Sequence, residues 1–81
     1  QLFPNPIGIG TQATLAIQSE LQKEIDLEIW TMDGKRLQQH RLKLIRGQQV
    51  YPLDAPTIPG LYFVRLIESG QPLHTIKISV Q

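Results

Sequence analysis

The stretch IDLEIWTMDGKRL, Ile25–Leu37, decides the fold of this chain. Ile25, Leu27 and Ile29 alternate with Asp26, Glu28 and Trp30. Period two sends the two sets to opposite faces of a strand, whereas a helix would scatter Asp26 and Glu28 into the apolar stripe. Asp33-Gly34 follows. Asp-Gly is the strongest short-range hairpin signal, because a type I′ turn needs positive φ at both central residues. The expected partner strand, about 35–45, is long and polar. Its apolar phase shifts between Leu37 and the Leu42/Leu44 pair, and one extra residue, a β-bulge, would reconcile the two phases.

The same alternation runs outward in both directions. Upstream, Ala13, Leu15 and Ile17 oppose Thr14, Ala16 and Gln18. Ser19–Ile25 resembles a capping box but is too short for a helix of its own, and it reads as a loop. Downstream, Arg46-Gly47-Gln48 reads as a turn and QVYPL as a short strand, where Pro52, which lacks an amide donor, makes it an edge strand or ends its pairing. The loop DAPTIPG leads to LYFVRLIE, the most hydrophobic strand, with Tyr62, Val64 and Leu66 on one side. Ser69-Gly70 turns this strand into the last one, whose Ile76, Ile78 and Val80 share a face. Six to seven short strands with turn signals every ~8–12 residues predict an all-β fold, a small antiparallel Ig-like β-sandwich.

The chain has 81 residues and reads as a single domain, 1–81. It has no cysteine, so no disulfide or thiolate metal site reinforces it. Eight basic and seven acidic residues leave a net charge of +1, which argues against a nucleic-acid partner. No apolar run approaches the ~18 residues of a membrane helix. The chain starts at Gln1 without an initiating Met, and we expect a piece cut from a longer secreted protein.

Catalytic and cofactor chemistry is sparse. His40 and His74 lie far apart on separate strands and read as solvated side chains, without cysteine partners for a metal. Asp26 and Glu28 share a face, as an acid/base pair would, but a half-buried strand makes a solvated face the expected reading. The run Gly8–Gly10 follows no strand and opens no helix, so the dinucleotide reading fails. There is no nucleophile elbow. No catalytic residue, cofactor or metal ligand is expected. Trp30 and Tyr51 are the aromatics that a carbohydrate- or protein-binding accessory module of immunoglobulin or fibronectin type would turn toward its ligand.

Four marks stand in order along the chain. They are LFPNP at the start, IWTMDGKRL, then LDAPTIPGLYFVRL, and KISVQ at the end. With them the chain closely resembles, from Leu2 to Gln81, the C-terminal sorting domain of the type IX secretion system (Por secretion system) of Bacteroidetes. Phe3, Pro4, Asn5 and Pro6 match its opening box. Asp33 and Gly34 match its D-x-x-G-R turn in a shortened form. Pro59, Gly60 and Tyr62 match its L-P-x-G-x-Y stretch, lacking the residue between Pro and Gly. Lys77, Ile78, Val80 and Gln81 match its Lys-apolar-x-Val-x tail.

The resemblance implies a non-catalytic secretion signal carried by an upstream cargo in cis. It implies transit through the periplasm and arrival at the cell surface or outside the cell. Its partners would be the outer-membrane translocon and a sortase-like cysteine protease that processes the export product. Recognition would fall on the tail, Lys77, Ile78, Ser79, Val80 and Gln81, with Ile78 and Val80 anchored in the core and Lys77 exposed. An edge position for this strand would leave amides to accept a partner strand. Edge strands also leave room for a dimer. Pro4-Asn5-Pro6 reads as a stiff boundary where linker ends and domain begins.

Overall fold

The computed structural model describes residues 2–3 and 7–81, and the Pro4-Asn5-Pro6 box lies outside them. Seven strands are present among the described residues: β1 (Leu2–Phe3), β2 (Gln12–Ser19), β3 (Lys23–Thr31), β4 (Arg36–Leu44), β5 (Gly47–Asp54), β6 (Gly60–Glu68) and β7 (Gln71–Val80). They form a β-sandwich, a three-stranded sheet β1-β2-β5 and a four-stranded sheet β4-β3-β6-β7, each with antiparallel neighbours.

The alternation read from Ile25–Leu37 holds. Ile25, Leu27 and Ile29 are buried on the inner face of β3. They meet Leu42 and Leu44 of β4, Val64 of β6, Ile78 and Val80 of β7, and Ala13, Leu15 and Leu53 of the other sheet in one core cluster. Burying each Leu or Ile contributes about 1.5–3 kcal/mol, so the nine buried Leu and Ile side chains among the described residues are the main force holding the sheets together.

Turn chemistry differs from the expectation at one place. Asp33 and Gly34 are not the two central residues of a type I′ turn. The turn spans Thr31–Gly34, closed by the Gly34 amide donating to the Thr31 carbonyl at 3.2 Å. Only Gly34 has positive φ, +93°. This is the three-residue hairpin loop in which a turn is followed by a left-handed glycine. The type I′ geometry occurs instead at Ser69-Gly70, with φ of 50° and 77°, between the paired Glu68 and Gln71.

The bulge expected in β4 is present. Ile29 pairs with Gln38 and Trp30 with Arg36, leaving Leu37 as the extra residue. It brings Leu37 beside Gln38 at the mouth of the sandwich, where Leu37 stays exposed. The loop read at Ser19–Ile25 is shorter, since β3 starts at Lys23. The turn after β4 also falls earlier, because Gly47 and Gln48 are already in β5. Pro52 sits in β5, an outer strand of its sheet. Ala55 donates to Thr11 at 2.9 Å, and alternation along the strand then turns the missing amide of Pro52 toward the open edge.

The crossing from β5 back to the other sheet is fixed by Tyr62. Its ring is buried, and its hydroxyl donates to the Ile58 carbonyl at 2.5 Å. A tyrosine near the start of this strand, bonded to backbone just upstream, is a hallmark of immunoglobulin-type sandwiches. Tyr62→Phe keeps the ring but deprives a backbone carbonyl of its donor. The expected loss is about 1–2 kcal/mol, read as a lower urea midpoint at unchanged slope. A midpoint equal to that of the parent chain would show that the corner bond contributes nothing.

Candidate functional site

The family-like marks lie far apart in sequence, and the sheet register gathers three of them. Thr31, at the base of the Asp33-Gly34 loop, pairs with Tyr62, and Tyr62 pairs with Ile78. Gly60, next to Pro59, pairs with Val80. The β3–β4 loop, the Pro59-Gly60 entry to β6 and the end of β7 therefore share one end of the four-stranded sheet. Thr31 stiffens this end. Its hydroxyl donates to the Asp33 carboxylate and accepts the Lys35 amide. The hydroxyl bond holds the Asp33 carboxyl below its ordinary pKa. Phe3 is apart from this group in pairing, opposite Thr14 in the other sheet.

The tail is built into the fold. Ile78 and Val80 are each 1% exposed, Ser79 is half-buried, and Lys77 and Gln81 are exposed. One edge of this segment pairs with β6. The other edge is taken by residues 7–9. The Ile7 amide donates to the Ser79 carbonyl at 2.8 Å, the Gln81 amide to the Ile7 carbonyl at 2.9 Å, and the Ile9 amide to the Gln81 carbonyl at 2.9 Å. Ile7 is itself buried in the core. Among the described residues, no strand pairs with the outer edge of the preceding part of β7. Alternation from Ser79 and Gln81 puts the backbone groups of Thr75 and Lys77 there. The clamp by residues 7–9 went unread in the sequence, because Ile7-Gly8-Ile9 is too short to show a period.

The outer face of the four-stranded sheet holds a second group. Glu28 is not solvated as its face suggested. It is 6% exposed, and its carboxylate accepts the Trp30 indole N–H at 2.8 Å and Arg36 Nη1 at 3.1 Å. Two charge-assisted bonds offset the desolvation of the carboxylate. Arg65 lies over the Trp30 ring, 5.7 Å from its centroid. Asp26 has a separate partner, Arg41 Nη1 at 3.0 Å. That bond raises the Arg41 pKa, with the Coulomb attraction of Asp26 and Glu24 adding to it. Asp26 and Glu28 thus serve different cations, and neither is set up to pass a proton to the other.

The remaining candidates separate. Tyr51 packs against the core from the three-stranded sheet, 6.2 Å from the His40 ring, so it shares no ligand face with Trp30. His40 is on β4 and His74 on β7, the two edges of one sheet, about 14 Å apart at the usual strand spacing. Among the described residues no group of three His, Cys, Asp or Glu is placed to hold a metal. The grooves at the two mouths of the sandwich are open and small, about 250 Å³ beside Tyr62 and about 290 Å³ beside Leu21. Small-molecule sites usually take ~300–1,000 Å³.

A sandwich whose shared marks collect at one end of a sheet, around its own C-terminal strand, is built as an interaction module. The model of the secretion system C-terminal sorting domain family matches residues 1–81, and the chain belongs to that family. No match is found among curated proteins or among solved structures. Membership makes the chain a type IX C-terminal sorting signal, of a family that is in general non-catalytic. It implies export toward the outer membrane or cell surface, and interaction with the secretion system and with a cargo in cis.

Proposed function

We propose that residues 1–81 form one sorting domain, with no catalysis of its own, that the outer-membrane translocon reads at the end where β7 finishes. Lys77, Ser79 and Gln81 supply the groups presented to the translocon. Ile78 and Val80 hold the segment in register from the core side. The upstream cargo crosses the periplasm with the domain, and a sortase-like cysteine protease processes the export product at the surface. The convergence of the Asp33-Gly34 loop, the Pro59-Gly60-Tyr62 entry and the tail at one end carries this reading. A machine that handles many cargos needs one folded shape with a few accessible end groups, and this end offers both. The edge at Thr75 and Lys77, which no described strand pairs, also suits strand addition or a dimer through β7, whereas the Ser79–Gln81 edge is already filled.

The test is export of a fluorescent protein that carries an N-terminal signal peptide and this chain at its C-terminus, in a host with the system. The parent fusion is expected at the cell surface. Lys77→Glu is expected to cut surface arrival about tenfold, roughly the effect of losing one charge-assisted contact, while the melting curve stays unchanged. Full export of Lys77→Glu would remove Lys77 from the recognised end.

A further inference from the structure

We infer that the outer face of the four-stranded sheet, around Trp30, Phe63 and Arg65, is a docking surface for an acidic protein segment. Register places Arg36, Trp30, Phe63 and Lys77 in one row across all four strands, a span of about 14 Å. Arg65 stands in the next row, cross-strand from Glu28. Leu61, 44% exposed, follows on the same side of β6.

Charge decides the sign of the partner. Glu28 is buried and fully engaged by Arg36 and the indole. Arg65 and Lys77 have no carboxylate within ion-pair distance among the described residues. Toward the other end of the same sheet, Arg41 is matched with Asp26 and Glu24 and Lys23 with Glu68, and Lys43 is the cation there without an ion pair among the described residues. Two unpaired cations, Arg65 and Lys77, thus stand beside the aromatic pair. Arg65 and Lys77 are diagonal neighbours on β6 and β7, about 7–8 Å apart, a spacing that alternate carboxylates of one extended chain can meet.

The aromatic geometry decides the class of partner. Stacking on a sugar or a base requires an open ring face. Arg65 covers that of Trp30. What remains is a stacked arginine, whose fork is held over the sheet with donors left for carboxylates, next to the apolar surface of Phe63 and Leu61. A held guanidinium loses less side-chain entropy on binding than a free one. Trp and Arg beside apolar side chains make up the composition of protein–protein hot spots. The net charge of +1 leaves too little positive field for nucleic acid.

Trp30 is the only tryptophan, so its fluorescence reports on this face directly. The 81-residue chain is titrated at low salt with a synthetic peptide of alternating glutamate and leucine. Polygalacturonate and a single-stranded oligonucleotide are titrated in parallel at equal anionic charge. The peptide is expected to shift Trp30 emission saturably, and 0.5 M salt to reverse the shift. Arg65→Gln and Lys77→Gln are each expected to weaken binding about tenfold, while Lys43→Gln leaves it unchanged. Lys77 is exposed, so its variant keeps the fold even if Arg65→Gln disturbs the indole. The inference is overturned if the peptide gives no saturable shift, if polygalacturonate or the oligonucleotide binds as tightly as the peptide, or if Arg65→Gln and Lys77→Gln bind like Lys43→Gln. Export plays no part in this measurement, so its failure leaves the sorting reading standing.

Discussion

Leu27→Ala is expected to destabilise the chain by about 3–4 kcal/mol, within the usual ~2–5 kcal/mol for a buried Leu. Leu27 is 0% exposed. It sits mid-strand in β3, paired with His40 on one side and Leu66 on the other. Truncation leaves a cavity between two sheets whose positions are fixed by hydrogen bonds, so little can collapse into it. An 81-residue domain has a total stability of roughly 4–12 kcal/mol, and no disulfide limits its unfolded state. The loss is therefore a quarter of the total or more. It corresponds to a fall in Tm of about 15–25 °C for a domain of this size. Circular dichroism on heating and a urea titration at constant slope measure it. Val50→Ala, at 65% exposure, is the control, expected within about 0.5 kcal/mol of the parent. A Leu27→Ala midpoint equal to that of the control would mean that β3 is not the centre of the core.

Local periodicity carried most of the architecture. Which residues of β2, β3, β6 and β7 face inward follows from alternation alone, because each strand buries one face. The Leu37 bulge was legible for the same reason, as a phase error in a regular pattern. The turn at Asp33 was not fully legible. Asp-Gly serves equally as the centre of a type I′ turn and as the end of a three-residue loop, and only the pairing of Thr31 with its partners separates the two. Glu28 shows another limit. Its burial depends on Trp30 two residues along and on Arg36 from the next strand, and a carboxylate in a strand carries no mark of such a lid. The group at the sheet end needed register between residues up to about 50 positions apart, from Thr31 through Tyr62 to Ile78. The family marks named those residues without saying that they meet. The inner placement of Ile78 and Val80 was legible, but their second layer of support from Ile7 was not.

That support changes what a tail deletion measures. Removing Lys77–Gln81 is expected to abolish cooperative unfolding altogether. The deletion takes Ile78 and Val80 out of the core, a loss of about 3–6 kcal/mol at ~1.5–3 kcal/mol each. It also strips the pairing from Gly60 through Phe63 of β6 and the partners of Ile7 and Ile9, leaving Ile7 without its strand neighbour. Together these losses match the whole stability range of a chain this size. A truncated chain that fails to reach the surface would therefore have lost its fold, whatever the translocon reads. Single changes at exposed tail positions avoid this. Lys77→Gln touches no core contact and is expected to melt within about 0.5 kcal/mol of the parent, so its export reports recognition and not folding. Melting curves of both proteins, recorded beside their export, separate the two effects. A truncated chain with a cooperative melt close to that of the parent would show that the last strand is dispensable to the core. Its export would then measure recognition directly.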